Sequence, residues 1–218
     1  MSGLRLYNYW RSSASHRVRI ALQLKGLSYD YVPVHLGAGD GEQFSAAYRA
    51  LNPQSRVPAL ETPDGILIQS MAILEWLEET HPQPALLPGT ARERARVRAM
   101  AQVLIADVQP LQNQSVTRYL QATLHLDDAA LKSWLHEWIG RGLGALEEML
   151  GREPAGGEFC LGAQPTFADV CLVPQCASAR RFGVALADYP RLVRIDQNCS
   201  ALPAFQRAAP AQQPDAPR

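Results

Sequence analysis

Residues 4–34, LRLYNYWRSSASHRVRIALQLKGLSYDYVPV, decide the fold. The first six residues of this stretch alternate apolar and polar with period two, the signature of a strand. After Ser15 the segment HRVRIALQLK places Val18, Ala21, Leu22 and Leu24 on one helical stripe, and Gly26 supplies a C-terminal cap. Residues 29–34 (YDYVPV) form a second strand. A strand, a helix of about ten residues and another strand make a right-handed crossover, so the two strands are expected to be parallel.

Moving outward, residues 43–51 suit a short helix closed by Asn52-Pro53. Short strands at 59–61 and 66–69 are joined across Thr62-Pro63-Asp64-Gly65, residues suited to a tight turn. Ser70 then caps a helix over 71–80, which ends at His81-Pro82. The order βαβ-α-ββα is that of a thioredoxin-like domain, expected over residues 1–83.

Beyond residue 90 the strand pattern disappears. A helix over 91–107 is kinked or restarted at Pro110 and continues to about 124. Another spans 127–150. Thr166-Phe167-Ala168-Asp169 is a capping box opening a third. An α/β domain followed by an all-α helical bundle over 90–218 is therefore expected, joined by residues 83–89 with Pro84 and Pro88. The tail, 208–218, is rich in Pro, Ala and Gln and is expected to be partly mobile.

The composition excludes several function classes. With 218 residues, 47% hydrophobic and 19% charged, the chain is globular. Lys plus Arg and Asp plus Glu number 21 each, so no bulk field favours nucleic acid or an anionic membrane. No apolar run approaches a membrane span of roughly 18 residues, and residues 1–10 lack the pattern of a secretory signal. Cys160, Cys171, Cys176 and Cys199 show no CxxC spacing. Buried thiols in a reducing, cytoplasmic setting are the expectation, with no metal site.

Four polar clusters bear chemistry. Arg11 to Arg17 (RSSASHR) sits where the first strand meets the first helix. A helix start exposes unpaired amides and about half a positive charge, so it favours an anion, and hydroxyls at Ser12 and Ser13 are suited to donating to a thiolate. The same serines also suit plain capping. In Arg56-Val57-Pro58-Ala59 a proline precedes a short strand; a cis bond there would turn the Val57 backbone toward the first helix start, and a trans bond would leave an ordinary strand entry. Gln69-Ser70 opens the 71–80 helix and suits either a carboxylate ligand or simple capping. Gln109-Pro110-Leu111-Gln112-Asn113-Gln114-Ser115 crowds polar side chains at the helix break and either finds buried partners or lies on a solvated face.

Taken together, SSASHRVRIALQLKG (12–26), ALNPQSRVPAL (50–60) and ILIQSMAILEWLEE (66–79) resemble the N-terminal domain of zeta-class glutathione transferases, the maleylacetoacetate isomerases. QPLQNQSVTRYL (109–120), FADVCLVPQCASARRFGV (167–184) and RAAPAQQPDAP (207–217) resemble that class's helical domain. The likeness covers nearly the whole chain. It implies glutathione as cofactor, a homodimer, and cis–trans isomerisation of a small maleyl dicarboxylate. 4-Maleylacetoacetate is the leading substrate, with maleylpyruvate or α-halo acids as alternatives. A non-catalytic glutathione-binding protein is the reading from a different class.

The resemblance also implies residue roles. Ser12 and Ser13 hold the glutathione sulfur, with Ser13 as the hydroxyl donor. Gln43 and Val57 contact the glycine and cysteinyl parts, and Gln69 and Ser70 the γ-glutamyl end. Gln109, Asn113 and Ser115 line the site from the second domain. Arg11, Arg17 and Arg181 are carboxylate clamps, with Arg180 standing in for Arg181 and Arg17 also serving catalysis. One departure stands out: the class often carries a cysteine two residues after the first serine, and Ala14 occupies that position here. His16 suits either acid–base work or a solvent-facing helix position. Tyr7 and Tyr9 read as core.

Overall fold

The computed structural model describes residues 3–37, 41–152 and 157–217. The chain divides into two compact units, Met1–Leu86 with Ala201–Arg218, and Leu87–Ser200. This division differs from the expected helical domain over 90–218, because the C-terminal segment packs with the first unit.

In the first unit β1 (Arg5–Asn8), β2 (Asp30–Pro33), β3 (Ala59–Thr62) and β4 (Gly65–Ile68) form one sheet in the order β2-β1-β3-β4. β1 and β2 run parallel, with Leu6 opposite Tyr31; β1–β3 and β3–β4 are antiparallel. The Thr62–Gly65 turn is closed by the Thr62 hydroxyl, which accepts from the Asp64 amide at 3.2 Å and donates to the Gly65 carbonyl at 2.9 Å. Gly65 has φ of 127°, a region in which a Cβ would be strained.

Helix α1 (Ser13–Leu24) begins earlier than expected. Its N-cap is Ser12, whose hydroxyl accepts from the Ser15 amide at 3.2 Å. Every residue from Ser15 to Leu22 is buried, because α1 packs against both α3 (Ser70–Thr80) and α9 (Pro203–Ala208). That enclosure buries His16, Arg17 and Arg19 along with Val18, Ile20 and Leu22. Leu6, Leu60, Ile73, Leu74 and Leu77 complete this core, all fully shielded. A short α2 (Ala46–Leu51) follows a 3-10 turn at Glu42–Phe44.

The C-terminal tail is not loose among its described residues. Gln213 is buried, and its amide donates to the carbonyls of Arg207 (2.9 Å) and Ala209 (2.8 Å). The expected mobility is corrected accordingly; the end residue, Arg218, lies outside the described residues.

In the second unit α4 (Ala91–Gln102) is opened by a capping box between Thr90 and Glu93 and runs into a π-helical turn, Val103–Val108. The helix break thus begins before Pro110, as a widened turn, and the chain restarts as α5 (Gln114–Ala122) under an Asn113 cap. α6 (Asp128–Gly151) crosses this π turn closely at Gly142, where a Cβ would fall 2.0 Å from Val108 Cγ2. α7 (Phe167–Arg181) packs on α4 and on α8 (Pro190–Ser200). No helix among the described residues is long and apolar enough to cross a membrane.

Candidate functional site

The residues of the first unit converge on two helix starts. Ser12 is committed as the α1 cap, and its own amide donates to the Tyr9 carbonyl at 3.0 Å. Ser13 is the first helical residue and half-buried, and its hydroxyl has no hydrogen bond within the described residues. An uncommitted donor beside unpaired helix amides is suited to an anionic sulfur.

The second helix start is tied to the first across 53 residues of sequence: Arg17 NH1 donates to Ser70 Oγ at 3.1 Å. Arg17 is only 1% exposed, so its charge lies beneath Ser70. Just before Ser70, Gln69 has φ of 70° and ψ of 118°, a backbone strain of about 1–3 kcal/mol for a residue with a Cβ. Gln69 Nε2 donates to Gln54 Oε1 at 2.7 Å, and the Gln54 amide donates to Asn52 Oδ1 at 3.0 Å.

The 50–60 loop is held from below. Tyr48 Oη and Asn52 Nδ2 both donate to the Arg56 carbonyl at 2.7 Å. The Val57–Pro58 bond is cis. The Val57 side chain packs with Val34 and Tyr48, with Tyr7 and Tyr9 against them. The two tyrosines are therefore part of a small core, and Tyr7 Oη donates to Glu61 at 2.9 Å. Val57 makes no backbone hydrogen bond among the described residues, leaving an amide and carbonyl suited to an extended peptide. Gln43 is 5% exposed, and its Oε1 has no partner among the described residues. A buried acceptor without a donor is costly unless a ligand supplies one.

His16 does not face solvent. Burial, reinforced by the charges of Arg19 and Arg17, pushes its imidazole well below the usual range, so it is neutral. Arg11 is exposed, its guanidinium 5.7 Å from the centroid of the Trp10 ring.

The remaining expected residues belong to the second unit. Asn113 Oδ1 accepts from the Ser115 amide (2.9 Å) and hydroxyl (3.0 Å), so these two form the α5 cap. Gln109 ends the π turn. Arg181 is exposed, stacked 4.4 Å from the Phe182 ring centroid. Arg180 is paired with Asp196 at 2.5 Å.

Several partners carried no local sequence signal. Gln112 and Gln175 exchange reciprocal amide bonds at 2.8 and 3.2 Å, both buried, which accounts for Gln112 among the polar residues near the helix break. Gln54 is found only through its bond to Gln69. The four cysteines are buried and form no disulfide with one another; burial pushes the Cys160, Cys176 and Cys199 thiols up, so these three are poor nucleophiles.

The family models for the glutathione S-transferase N-terminal domain and C-terminal domain match residues 6–85 and 137–195. A maleylpyruvate isomerase from Ralstonia is 50% identical over 97% of this chain and 99% of its own length. A maleylacetoacetate isomerase from Pseudomonas aeruginosa is 48% identical over 98% and 99%. Among solved structures, a maleylpyruvate isomerase described as a bacterial zeta-class glutathione S-transferase superposes with a TM-score of 0.95 at 50% identity, covering 98% of this chain and 100% of that one. A maleylacetoacetate isomerase from Anaeromyxobacter dehalogenans, with glutathione in its active site, gives 0.87 at 51%, covering 98% of each. With such matches along almost its full length, the chain belongs to the zeta class of the glutathione transferase family.

Proposed function

We propose that this protein is a glutathione-dependent isomerase that converts 4-maleylacetoacetate to 4-fumarylacetoacetate. The observation that carries the reading is the uncommitted Ser13 hydroxyl at the start of α1, in a unit whose described residues include no cysteine. The residues fit glutathione: Gln43 offers a buried acceptor in want of a donor, Val57 an unpaired backbone, and Ser70 a helix start backed by a buried guanidinium. When bound, glutathione supplies a thiolate that adds reversibly to the cis double bond and is returned unchanged.

The protein's own residues perform the rest. Ser13 and the amides of the first turn of α1 keep the sulfur ionised. Ser70, its hydroxyl already accepting from Arg17, presents its amide to the γ-glutamyl carboxylate while Gln69 adds a neutral contact. Val57 pairs with the cysteinyl portion in the manner of an added strand. Arg11, exposed, takes a substrate carboxylate and stabilises charge developing on the conjugated carbonyl; the same role for Arg181 rests on the class resemblance alone. Arg17 supports Ser70 from beneath. Gln109, Asn113 and Ser115 are assigned to the same site on the class resemblance alone. A cytoplasmic homodimer follows from that resemblance as well.

The 50% identity to the Ralstonia maleylpyruvate isomerase makes maleylpyruvate the second reading. Purified protein with glutathione, given each substrate in turn and followed by loss of the cis enol absorbance, separates them. Faster turnover of maleylacetoacetate is expected. Faster turnover of maleylpyruvate overturns the substrate choice, and glutathione binding without turnover of either, or of an α-halo acid, makes it a binding protein.

A further inference from the structure

The loop that delivers Ser12 and Ser13 is held from outside itself. The Trp10 amide donates to Asp215 Oδ2 at 3.1 Å, and the Trp10 carbonyl accepts from Arg19 NH2 at 2.9 Å. The Tyr9 carbonyl accepts from Arg19 NH1 at 3.3 Å and from the Ser12 amide at 3.0 Å. Both backbone groups of Trp10 are thus fixed by residues that lie outside the loop.

The same two side chains reach the C-terminal segment and the sheet. Arg19 Nε donates to the Ala208 carbonyl at 3.1 Å, and Arg19 NH1 to Asn8 Oδ1 at 3.0 Å. Tyr31, on β2, donates its hydroxyl to Asp215 Oδ1. Gln213, by bonding Arg207 and Ala209, folds the tail back on itself immediately before Asp215. Arg207 is itself anchored to α1 through Gln23 at 2.7 Å. Arg19 is fully buried, so its guanidinium donors need these acceptors to stay in place, and Asp215 closes the circuit around the loop.

We propose that Asp215 and Arg19 are positioning residues for the thiolate: the C-terminal segment straps the 9–12 backbone and thereby sets where Ser12 and Ser13 meet the glutathione sulfur. The proposal rests on the glutathione reading above. A hydrogen bond to sulfur depends steeply on placement, and a shift of about 1 Å in a positioned group is enough to weaken it severely. Trp10 lies two residues from Ser12, so freeing its amide loosens the turn that fixes the helix start.

The test compares wild type, D215A and D215N by two readouts: hydrogen exchange of the 9–16 amides in the free protein, and the pH titration of thiolate absorbance of bound glutathione. D215A is expected to speed exchange over 9–16 by about tenfold while leaving α6 unchanged. It is also expected to raise the apparent pKa of the bound thiol by about half to one unit. D215N, with one acceptor oxygen left, falls between. A variant that binds glutathione with wild-type exchange and a wild-type titration overturns the proposal. Should D215A fail to fold, wild-type exchange in D215N overturns it equally. If wild type itself shows no bound thiolate, the glutathione reading fails, and the exchange arm decides whether the tail holds the loop.

Discussion

Replacing Ser13 by alanine is expected to lower kcat by about tenfold or more, the scale of one catalytic hydrogen bond to a developing or resident negative charge. Ser13 has no structural duty among the described residues, so S13A leaves the unfolding midpoint near that of wild type. Ser12 provides the contrast. Its hydroxyl caps α1 through the Ser15 amide, so S12A costs about 1 kcal/mol of stability as well as any effect on rate. Steady-state kinetics with denaturant unfolding on both variants separates the two roles. An S13A rate equal to wild type transfers the sulfur contact to Ser12 or to the helix amides alone.

The largest stability effect is expected at Asp169. Its carboxylate, fully buried, accepts from the Cys160 amide (2.8 Å), the Thr166 amide (2.8 Å) and the Thr166 hydroxyl (2.7 Å). Burial pushes this carboxyl up while those donors hold it down, and burial prevails. Removing the side chain strands at least two buried backbone donors, at about 1–3 kcal/mol each. D169A is therefore expected to lose on the order of 3–5 kcal/mol, seen as a lower denaturant midpoint at fixed protein concentration. D169N keeps one oxygen and loses less. A D169A midpoint within experimental scatter of wild type contradicts this account of the α7 start.

The chain states its fold legibly where hydrophobic period decides it. The alternation in β1 and the stripe on α1 give the parallel pair and its crossover, and Thr62–Gly65 gives the hairpin. The start of α1 was less legible for a simple reason: Ser12, Ser13 and Ser15 have the same capping chemistry, and only the folded backbone selects Ser12. The burial of His16, Arg17 and Arg19 was not legible at all. Each reads as polar locally, and each is enclosed by elements far away in sequence, as the Arg19 bond to the Ala208 carbonyl shows. Composition likewise misled at the tail, because Pro, Ala and Gln suggest mobility unless a long-range partner such as Tyr31 receives Asp215. The helix break near Pro110 was visible, but its π-helical form was not, nor was the close approach of α6 to that turn at Gly142.

Site residues followed the same division. The helix start at Gln69-Ser70 and the Val57-Pro58 strand entry were visible as short motifs, whereas the bond from Arg17 to Ser70 required two helices to meet. That bond changes the reading of Arg17 from a clamp on substrate to a support for a helix start.

Proton release on glutathione binding addresses the thiolate directly. A free thiol has a pKa of about 8.5 and is mostly protonated at neutral pH, so a protein that ionises it must expel the proton. Calorimetric titration at pH about 7, in buffers of differing ionisation enthalpy, reads that proton from the slope of binding enthalpy against buffer enthalpy. Release of close to one proton per site is the predicted result. Measurable binding heat with a slope of zero means that the sulfur stays protonated, and the start of α1 is then not a thiolate site.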